Sequence, residues 1–491
     1  MLLSTLAPVR ASGDHGAAVV LFLQAAPLLL LVGLLATGRA GPLVACLAAL
    51  ALAVPAALVS LPAGTGIAAG AQFLAEEALR GAFLAAQPIG VVVGGLLFHA
   101  AVARDEAASP GAAAPSARRV FAATLLAGNF LESVTGFAVG AVFALSTLRG
   151  MGIGGPLAGA MALLSLSTVP WGGLGPGTAL GAALIGMPAQ AIAQVAAWPN
   201  AVWLLLLGPV LWRLCAAARI EVTPREKAAQ LGLLAAMAAI LLACNYTLPF
   251  EVAGILAAGL PLLWTLWRLD PPRDAAAWRR ALAAMAPYLV LTAALLAARA
   301  VPGAPALKPW ADLPGFAITH VAVVLWVVSG VLLAARLRPH PGRNALGALR
   351  RAGRPALAML LYVVLARLLA GSGAAEALAR AAAEALGPLA PYAVPPLGLL
   401  SGMVTGSNVG SNAALMTVQA GLGEAAGMPE WLAPGLHNFA GAAGAGMSFG
   451  VTALICGLLA DGTRPAQLWR LLAPSLLAVV VIGWACVWLL T

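Results

Sequence analysis

One acidic residue, Glu132, stands within a long apolar run. It is the only Asp or Glu in Val120–Leu148, and its polar neighbours are Asn129, Ser133 and Thr135. An ionisable side chain inside a membrane span is costly and marks an ion or substrate path. Glu132 is therefore predicted to take up and release a proton, with Asn129 contributing to substrate binding. The alternative is a structural acid that neighbouring hydroxyls hold in place.

A second polar segment interrupts the apolar sequence near the C-terminus. Unpaired backbone is costly in hydrocarbon, so a segment this rich in hydroxyls, amides and glycines is predicted to line a polar cavity. Such side chains beside a half-helix N-terminus suit an anion, and glycine lets the backbone come close to it. The alternative is close packing of small residues between helices. The candidate substrate-binding residues of this segment are Thr405, Gly406, Ser407, Asn408, Ser411 and Asn412.

Two further ionisable residues lie in apolar surroundings. Arg367, within the run Pro355–Ala370, could bind a substrate carboxylate through two hydrogen bonds, or could extend its side chain to the nearer membrane interface. His437 lies in the second glycine-rich stretch of the C-terminal half, where a titrating imidazole could join a proton relay. The alternative for His437 is a buried histidine with its hydrogen bonds satisfied.

The composition shows what must position these residues. The chain has 491 residues, of which 62% are hydrophobic and 9% charged, whereas a soluble domain carries about 25% charged residues. A membrane-spanning helix needs about 20 apolar residues, so we predict an all-α polytopic integral membrane protein with about 12–14 transmembrane segments. This excludes most soluble enzymes. The net charge of +10 indicates membrane orientation and not nucleic-acid binding, because the basic residues lie between apolar runs.

Basic residues cluster in five linkers between the apolar runs. By the positive-inside rule these linkers face the cytoplasm, and the linker 301–315, with only Lys308 and one Asp, faces outside. The segment Gly64–Gly81 could be an interfacial helix or part of a span. The Ala- and Arg-rich composition is typical of a GC-rich bacterial genome, so a bacterial inner membrane is the expected location. The clusters are Arg104 with Arg118 and Arg119, Arg213 to Lys227, Arg268 to Arg280, Arg336 to Arg354, and Arg464 with Arg470.

An internal repeat relates the two polar segments. Gly128–Gly136 can be laid over Gly402–Gly410 with Gly, Ser and Gly at matching positions. Each copy is followed by an irregular glycine-rich stretch, which is typical of broken or re-entrant helices. Paired interrupted segments in corresponding halves indicate a transporter binding site, so we predict two inverted repeats. The predicted divisions are an N-terminal membrane half over 1–227, central hairpins and linkers over 228–354, and a C-terminal half over 355–491.

Motifs for other chemistry are weak. The sequence Gly446–Gly450 matches the G-x-S-x-G nucleophile elbow, but that motif needs a strand followed by a helix in a soluble sheet. The five cysteines show no metal-site spacing, and no nucleotide or metal motif is present. We therefore predict no cofactor, no metal and no enzyme. An intramembrane lipid-modifying enzyme is the rival from a different class, and it would need a polar or metal-binding cluster at the interface.

Two segments resemble a known family. Gly128–Phe137 resembles the G-x-F-L-E-G-x-x-G-F segment of the L-lactate permeases, and Leu400–Ala414 resembles their F-L-T-G-S-D-x-S-S-N-A segment. The resemblance implies a secondary carrier of the broader ion transporter superfamily, with re-entrant hairpins, that imports lactate and related 2-hydroxy monocarboxylates such as glycolate with protons. The positions that it indicates for the site are Glu132, Gly136, Thr405, Gly406, Ser407, Ser411 and Asn412.

The sequence departs from the family pattern at two places. Asn408 stands where the family has an acid, and Gly446–Phe449 lacks the lysine, proline and glutamine of the family's G-K-M-I-S-P-Q segment. The lost charges could be a compensated pair, or the chain could carry a different anion. The expected partners are a small organic anion, protons and the lipid bilayer, with no nucleic acid and with a homodimer as the oligomeric state to test. The rival within the superfamily is a sodium-coupled carboxylate or oxyanion carrier, because hydroxyl and amide oxygens suit Na⁺.

Overall fold

The chain folds almost entirely into helices, as the sequence predicts. A computed structural model describes residues 14–102, 115–335 and 340–491. Within these ranges, ten helices are long and apolar enough to cross a membrane, which confirms an all-α polytopic membrane protein. The basic residues Arg104 and Arg336 lie outside the described residues.

The N-terminal part consists of three long helices. They are α1 (Asp14–Ala36), α2 (Pro42–Ser60) and α3 (Ile67–Val102). The segment Gly64–Gly81, for which the sequence allowed two interpretations, lies mostly in α3, which continues without a break from Ile67. Glu77 of this segment is buried against α14 (Pro341–Gly371). The segment is therefore the outer part of a spanning helix and not a separate interfacial one.

The central part consists of five successive helices, some of which begin at a polar side-chain cap. They are α9 (Ala189–Ala217), α10 (Pro224–Thr247), α11 (Phe250–Leu269), α12 (Ala275–Arg299) and α13 (Val321–Ala334). Thr223 and Glu226 form a capping box at the start of α10, and the Asp274 side chain accepts from the backbone of α12. These caps start both helices earlier than hydropathy alone indicates. The short strands β1 (Ala306–Leu307) and β2 (Phe316–Ala317) pair antiparallel between α12 and α13.

The first interrupted region is a re-entrant hairpin followed by a broken helix. Hairpin 1 (117–150) has a first arm of α4 (Ala117–Phe121), a π-helical stretch (Ala122–Gly128) and α5 (Asn129–Thr135), and a second arm, α6 (Val139–Gly150). Gly140 packs directly on Gly128, so the arms lie against each other. The broken helix consists of α7 (Gly155–Leu163), 3₁₀ turns at Leu164–Leu166 and Val169–Leu174, and α8 (Pro176–Leu184).

The second interrupted region repeats this plan. After the short helix α15 (Ala374–Leu386) and a 3₁₀ turn (Gly387–Leu389), hairpin 2 (390–425) consists of α16 (Ala390–Thr405) and α17 (Asn408–Ala425). Two bonds across it show antiparallel arms: Gln419 donates to the Val394 carbonyl (3.4 Å) and Ser401 to the Ser411 carbonyl (3.3 Å). A broken helix follows, made of α18 (Leu432–Gly446) and α19 (Phe449–Leu459), and α20 (Pro465–Leu490) ends the chain.

The two hairpins point in opposite directions. α17 runs parallel to α8, because Gly177 contacts Asn408 and Gly181 contacts Asn412. α6 instead joins α7 through a short turn and packs beside it in the reverse direction. If α8 continues the path of α7 across the bundle, the second arms of the two hairpins are antiparallel. This is the relation that inverted repeats require.

The position of the first broken helix supports that path. Gly159 of α7 packs against Leu468 of α20, near the basic linker that precedes α20. α8 ends at Leu184, where a short turn leads into α9. Because Arg213 at the far end of α9 contacts Leu471, α9 returns from the end of α8 to the level of α7. The broken helix therefore crosses the bundle.

Basic residues orient the open end of hairpin 1. Its base carries Arg118 and Arg149, so by the positive-inside rule hairpin 1 opens toward the cytoplasm. Because hairpin 2 points in the opposite direction, it opens toward the outside.

Candidate functional site

Glu132 lies at the tip of hairpin 1, and its side chain turns toward the backbone of the same tip. Its two carboxylate oxygens accept from the backbone N–H groups of Ala138 and Gly140, both at 3.3 Å. The residue is 5% exposed. The hydroxyls of Ser133 and Thr135 donate instead to carbonyls one turn earlier in the same helix. The alternative of an acid held by neighbouring hydroxyls is therefore wrong.

Asn129 connects hairpin 1 to the first broken helix. Its Oδ1 accepts from the Ser167 backbone N–H (3.0 Å), the Ser167 hydroxyl (3.0 Å) and the Thr168 hydroxyl (3.1 Å). Its Nδ2 donates to the Leu125 carbonyl at 3.0 Å. The side chain is fully buried, and its oxygen already has three donors. In this geometry Asn129 holds hairpin 1 against the first broken helix. The sequence predicted Asn129 as a substrate-binding residue.

The tips of both hairpins turn at a Thr-Gly pair. Gly136 has φ +68° and Gly406 has φ +78°, values that favour glycine. The preceding residues, Thr135 and Thr405, each donate a hydroxyl to the carbonyl four residues earlier, at 2.6 and 2.7 Å. Structurally, Gly136 therefore corresponds to Gly406, and the sequence register that paired Gly136 with Gly410 is shifted by four residues. The identities that set that register are small residues common throughout the chain.

The tip of hairpin 2 presents the start of a helix. Ser407 is the N-cap of α17, and its hydroxyl oxygen accepts from the Gly410 backbone N–H at 2.9 Å. The first-turn N–H groups of α17 therefore point at the tip, where an anion is favoured. A Cβ at Gly406 would lie no closer than 3.7 Å to its nearest neighbour, the Ser448 hydroxyl. Ser448 itself caps α19 by accepting from the Val451 N–H, so the G-x-S-x-G match is a helix start.

Three amide side chains and one hydroxyl meet behind this tip. Asn438 Oδ1 accepts from Asn408 Nδ2 (3.0 Å) and from Asn412 Nδ2 (2.9 Å). Asn438 Nδ2 donates to the Thr178 hydroxyl at 3.0 Å. Asn412 Nδ2 also donates to the Gly177 carbonyl at 2.8 Å. We call these four side chains, from α8, α17 and α18, the amide cluster.

The amide cluster has unused acceptors. Asn408 Oδ1, Asn412 Oδ1 and the Ser411 hydroxyl are buried without a hydrogen-bond partner. Buried polar groups without partners are rare in folded proteins and call for an explanation. Two amide oxygens and a hydroxyl near the start of one helix could receive a hydroxyl proton of a ligand, or could bind a cation.

His437 lies next to the amide cluster. It is fully buried, and its Nε2 lies 3.3 Å from the Ser411 carbonyl, whereas its Nδ1 has no partner. The structure therefore brings His437 to the second arm of hairpin 2. No contact places it beside Glu132.

Arg367 binds a residue that the sequence did not connect to it. Its Nε and one terminal nitrogen lie 2.8 and 2.7 Å from Glu77 Oε2, and both side chains are largely buried. The Arg367 guanidinium therefore forms an ion pair with Glu77 of α3 within the protein. Binding of a substrate carboxylate by Arg367 stays a prediction.

One segment contacts both hairpin tips. This bridging segment, Pro170–Thr178, contains the break between α7 and α8. At one end, Gly173 packs on Gly136, with a Cβ built there 3.3 Å from the Gly136 Cα. At the other end, Gly177 packs on Asn408. The predicted site residues of the two hairpins are therefore joined through the bridging segment.

A shallow groove lies against the bridging segment. It has a volume of about 30 Å³ and is lined by α3, α8, the start of α11 and the loop before α13. Leu174 and Pro176 of the bridging segment form part of its wall. Its polar lining residues are Gln87, Glu251 and His320.

Sequence reasoning missed several residues of the site. Thr178, Asn438, Ser167 and Thr168 complete the polar contacts of the two hairpins. All four lie in the glycine-rich stretches that follow the hairpins, so these stretches held the only sequence signal. Pairing across about 270 residues cannot be read from local spacing.

A family model described as L-lactate permease matches residues 309–490. Over that stretch, which contains hairpin 2 and the second broken helix, the resemblance to the L-lactate permeases is confirmed. The match supports a membrane transporter. No curated protein matches the chain.

Solved structures also match. One of them is Neisseria gonorrhoeae MtrF, described as illuminating a class of antimetabolite efflux pumps. The match has 13% sequence identity and a TM-score of 0.47, and it covers 91% of this chain and 94% of that one.

Proposed function

We propose that this protein is a secondary active transporter of the bacterial inner membrane that imports a small 2-hydroxy monocarboxylate, such as lactate or glycolate, together with protons. The observation that carries the proposal is Glu132, a buried carboxyl at a hairpin tip with only two backbone donors. Within the described ranges, no Lys or Arg pairs with it. Such a carboxyl can change protonation without breaking an ion pair, as a proton carrier must.

The tip of hairpin 2 suits both groups of a 2-hydroxy acid. The N–H groups at the start of α17, with Ser407, would bind the carboxylate. The unpartnered oxygens of Asn408 and Asn412 would accept the proton of the 2-hydroxyl group. A site with buried acceptors rejects an analogue that lacks the donor, because the acceptors then stay unpaired. This pairing of functions favours a hydroxy acid over a simple fatty acid.

Transport by purified protein tests the proposal. Proteoliposomes preloaded with L-lactate or glycolate should exchange labelled substrate by counterflow, and an inward proton gradient should drive accumulation. Propionate, which lacks the 2-hydroxyl, should compete at least about tenfold less well. No counterflow with either hydroxy acid, or equal competition by propionate, would contradict the assigned substrate class.

A sodium-coupled carboxylate carrier is the second candidate. The same unpartnered oxygens of Asn408, Asn412 and Ser411 favour it, because amide and hydroxyl oxygens can bind Na⁺ at a hairpin. Separate gradients distinguish the two. Accumulation driven by a sodium gradient at equal pH would select the sodium carrier, and accumulation driven by pH in sodium-free buffer would select the proton carrier.

A further inference from the structure

A second buried acid lies at the outer mouth of the groove. Glu251, in the first turn of α11, is 4% exposed and forms an ion pair with Arg299 at the end of α12. The Arg299 side chain is 47% exposed. Glu251 Oε2 is buried with no hydrogen-bond partner. Glu251 therefore uses one oxygen to hold a cation that is otherwise accessible from outside.

The ion pair lies beside the bridging segment. Glu251 lines the groove, and the neighbouring Phe250 packs on Gly175 of the bridging segment, with a Cβ built there 2.6 Å from the ring. On the other side of the bridging segment, a Cβ at Gly172 would lie 3.9 Å from Glu132 Oε1. The two buried acids, Glu251 and Glu132, therefore flank the same break in the chain.

We propose that Arg299 is an entrance site for the substrate carboxylate, and that the Glu251 carboxylate occupies Arg299 until an anion and a proton arrive together. The anion takes the place of Glu251 on the guanidinium, and Glu251 binds the proton. No charge is then left unpaired at the mouth. Arg favours carboxylates because its planar donors match both oxygens. This inference rests on the proposed import of an organic anion.

Among the described residues, the charged and titratable groups that face Glu251 are few. Arg299 comes from α12 and His320 from the loop before α13. α3 contributes Gln87, and Gln190 of α9 accepts from the Phe250 N–H. Burial, with Arg299 as a smaller cause, lowers the pKa of His320 to about 4. His320 is therefore neutral above about pH 5.

Equilibrium binding in a Glu132→Gln background tests the proposal. This background removes the other buried acid, so that proton-linked binding reports Glu251. L-lactate and glycolate serve as the probes, and their Kd is measured by thermal shift or calorimetry between about pH 5.5 and about pH 8. Because binding takes up one proton, the Kd should rise with pH, approaching about tenfold per pH unit.

Two further variants separate the roles. Adding Glu251→Gln should remove the pH slope and tighten binding at the alkaline end, since the competing charge is gone. Adding Arg299→Gln should weaken binding about tenfold to about a hundredfold at every pH, and Arg299→Lys should recover part of the loss. Glu376→Gln, which breaks the exposed Glu376–Arg380 pair on α15, is the matched control and should leave the Kd and its slope unchanged.

Three outcomes would overturn the entrance site. They are a pH slope that persists in Glu251→Gln, a Kd unaffected by Arg299→Gln, and no binding of either anion at the acidic end. The proposed function fails differently, through an absence of L-lactate and glycolate counterflow by the unaltered protein in proteoliposomes. Since the binding assay measures no transport, the two failures are distinguishable.

Discussion

The two hairpins share a backbone plan and differ in chemistry. Each turns at a Thr-Gly pair and packs on the bridging segment. In hairpin 1 these polar side chains have hydrogen-bond partners: Asn129 is bonded to the first broken helix and Glu132 to the tip of its own hairpin. In hairpin 2 the buried oxygens of Asn408 and Asn412 have no donor. Under the proposed function, hairpin 1 would supply a proton site on a fixed frame, and hairpin 2 would supply the groups that bind the ligand.

The orientation of the hairpins gives the largest expected effect. In a background without the native cysteines, Arg118→Cys at the base of hairpin 1 should react with an impermeant thiol reagent only from the cytoplasmic side. The basic base of hairpin 1 faces the cytoplasm and hairpin 2 points the opposite way, so Glu424→Cys at the base of hairpin 2 should react only from outside. Both positions are exposed. Labelling of both from one side would exclude inverted hairpins.

Removing the acid of hairpin 1 should abolish coupling. Glu132→Gln keeps the shape of the side chain but cannot release a proton, so pH-driven accumulation should be lost while counterflow persists. The measurement is uptake and counterflow by the same proteoliposome preparation. Glu376→Gln on α15 is the control for loss of one acid. Normal accumulation by Glu132→Gln would make hairpin 1 purely structural.

Replacing an asparagine in each hairpin should affect different properties: stability for Asn129 and substrate affinity for Asn408. Asn129→Ala removes an acceptor shared by three buried donors, of which the Thr168 hydroxyl keeps its contact with the Ser133 hydroxyl. Each donor left unsatisfied costs roughly 1–3 kcal/mol, so the melting temperature in detergent should fall. Asn408→Ala removes an unpartnered oxygen, so L-lactate affinity should fall about tenfold with little change for propionate. Equal losses of affinity for lactate and propionate in Asn408→Ala would remove the assigned contact with the hydroxyl.

The tip glycines should give the smallest effects, with a clear order. Gly136 has φ +68° and ψ −163°, a region nearly restricted to glycine, and a Cβ there would press on Gly173 at 3.3 Å. Gly406 has φ +78° and ψ 7°, which other residues tolerate, and has open space around it. Gly136→Ala should therefore lower the melting temperature more than Gly406→Ala, by a free-energy difference of about 1–2 kcal/mol. The reverse order would contradict the assignment of the stricter glycine requirement to Gly136.

Much of the architecture follows from the sequence, because hydropathy and charge act locally. The spans, the positive-inside bias and the two interrupted regions are all visible as apolar runs, Arg clusters and glycine-rich stretches. The lone acid Glu132 and the polar residues 405–412 lie at the two tips, as the pattern predicts.

Partners across the bundle could not be predicted in the same way. Arg367 pairs with Glu77, which lies 290 residues away, and Asn438 bonds to Thr178, which lies 260 residues away. Such pairs depend on helix packing, and one sequence contains no local signal for them. The four-residue shift in the repeat has a related cause, since the backbone turn and not the small-residue identities defines the equivalent positions.

The central claim, that both hairpin tips line one substrate site, is tested most directly by substrate protection. Phe137 at the tip of hairpin 1 is 39% exposed, and Ser407 at the tip of hairpin 2 is partly exposed, whereas Ser133 is fully buried. Phe137→Cys and Ser407→Cys, each in a background without native cysteines, should react with a small thiol reagent. L-lactate should slow the reaction at both positions, with propionate much less effective. Protection at only one tip, in a variant that still transports, would contradict a shared site.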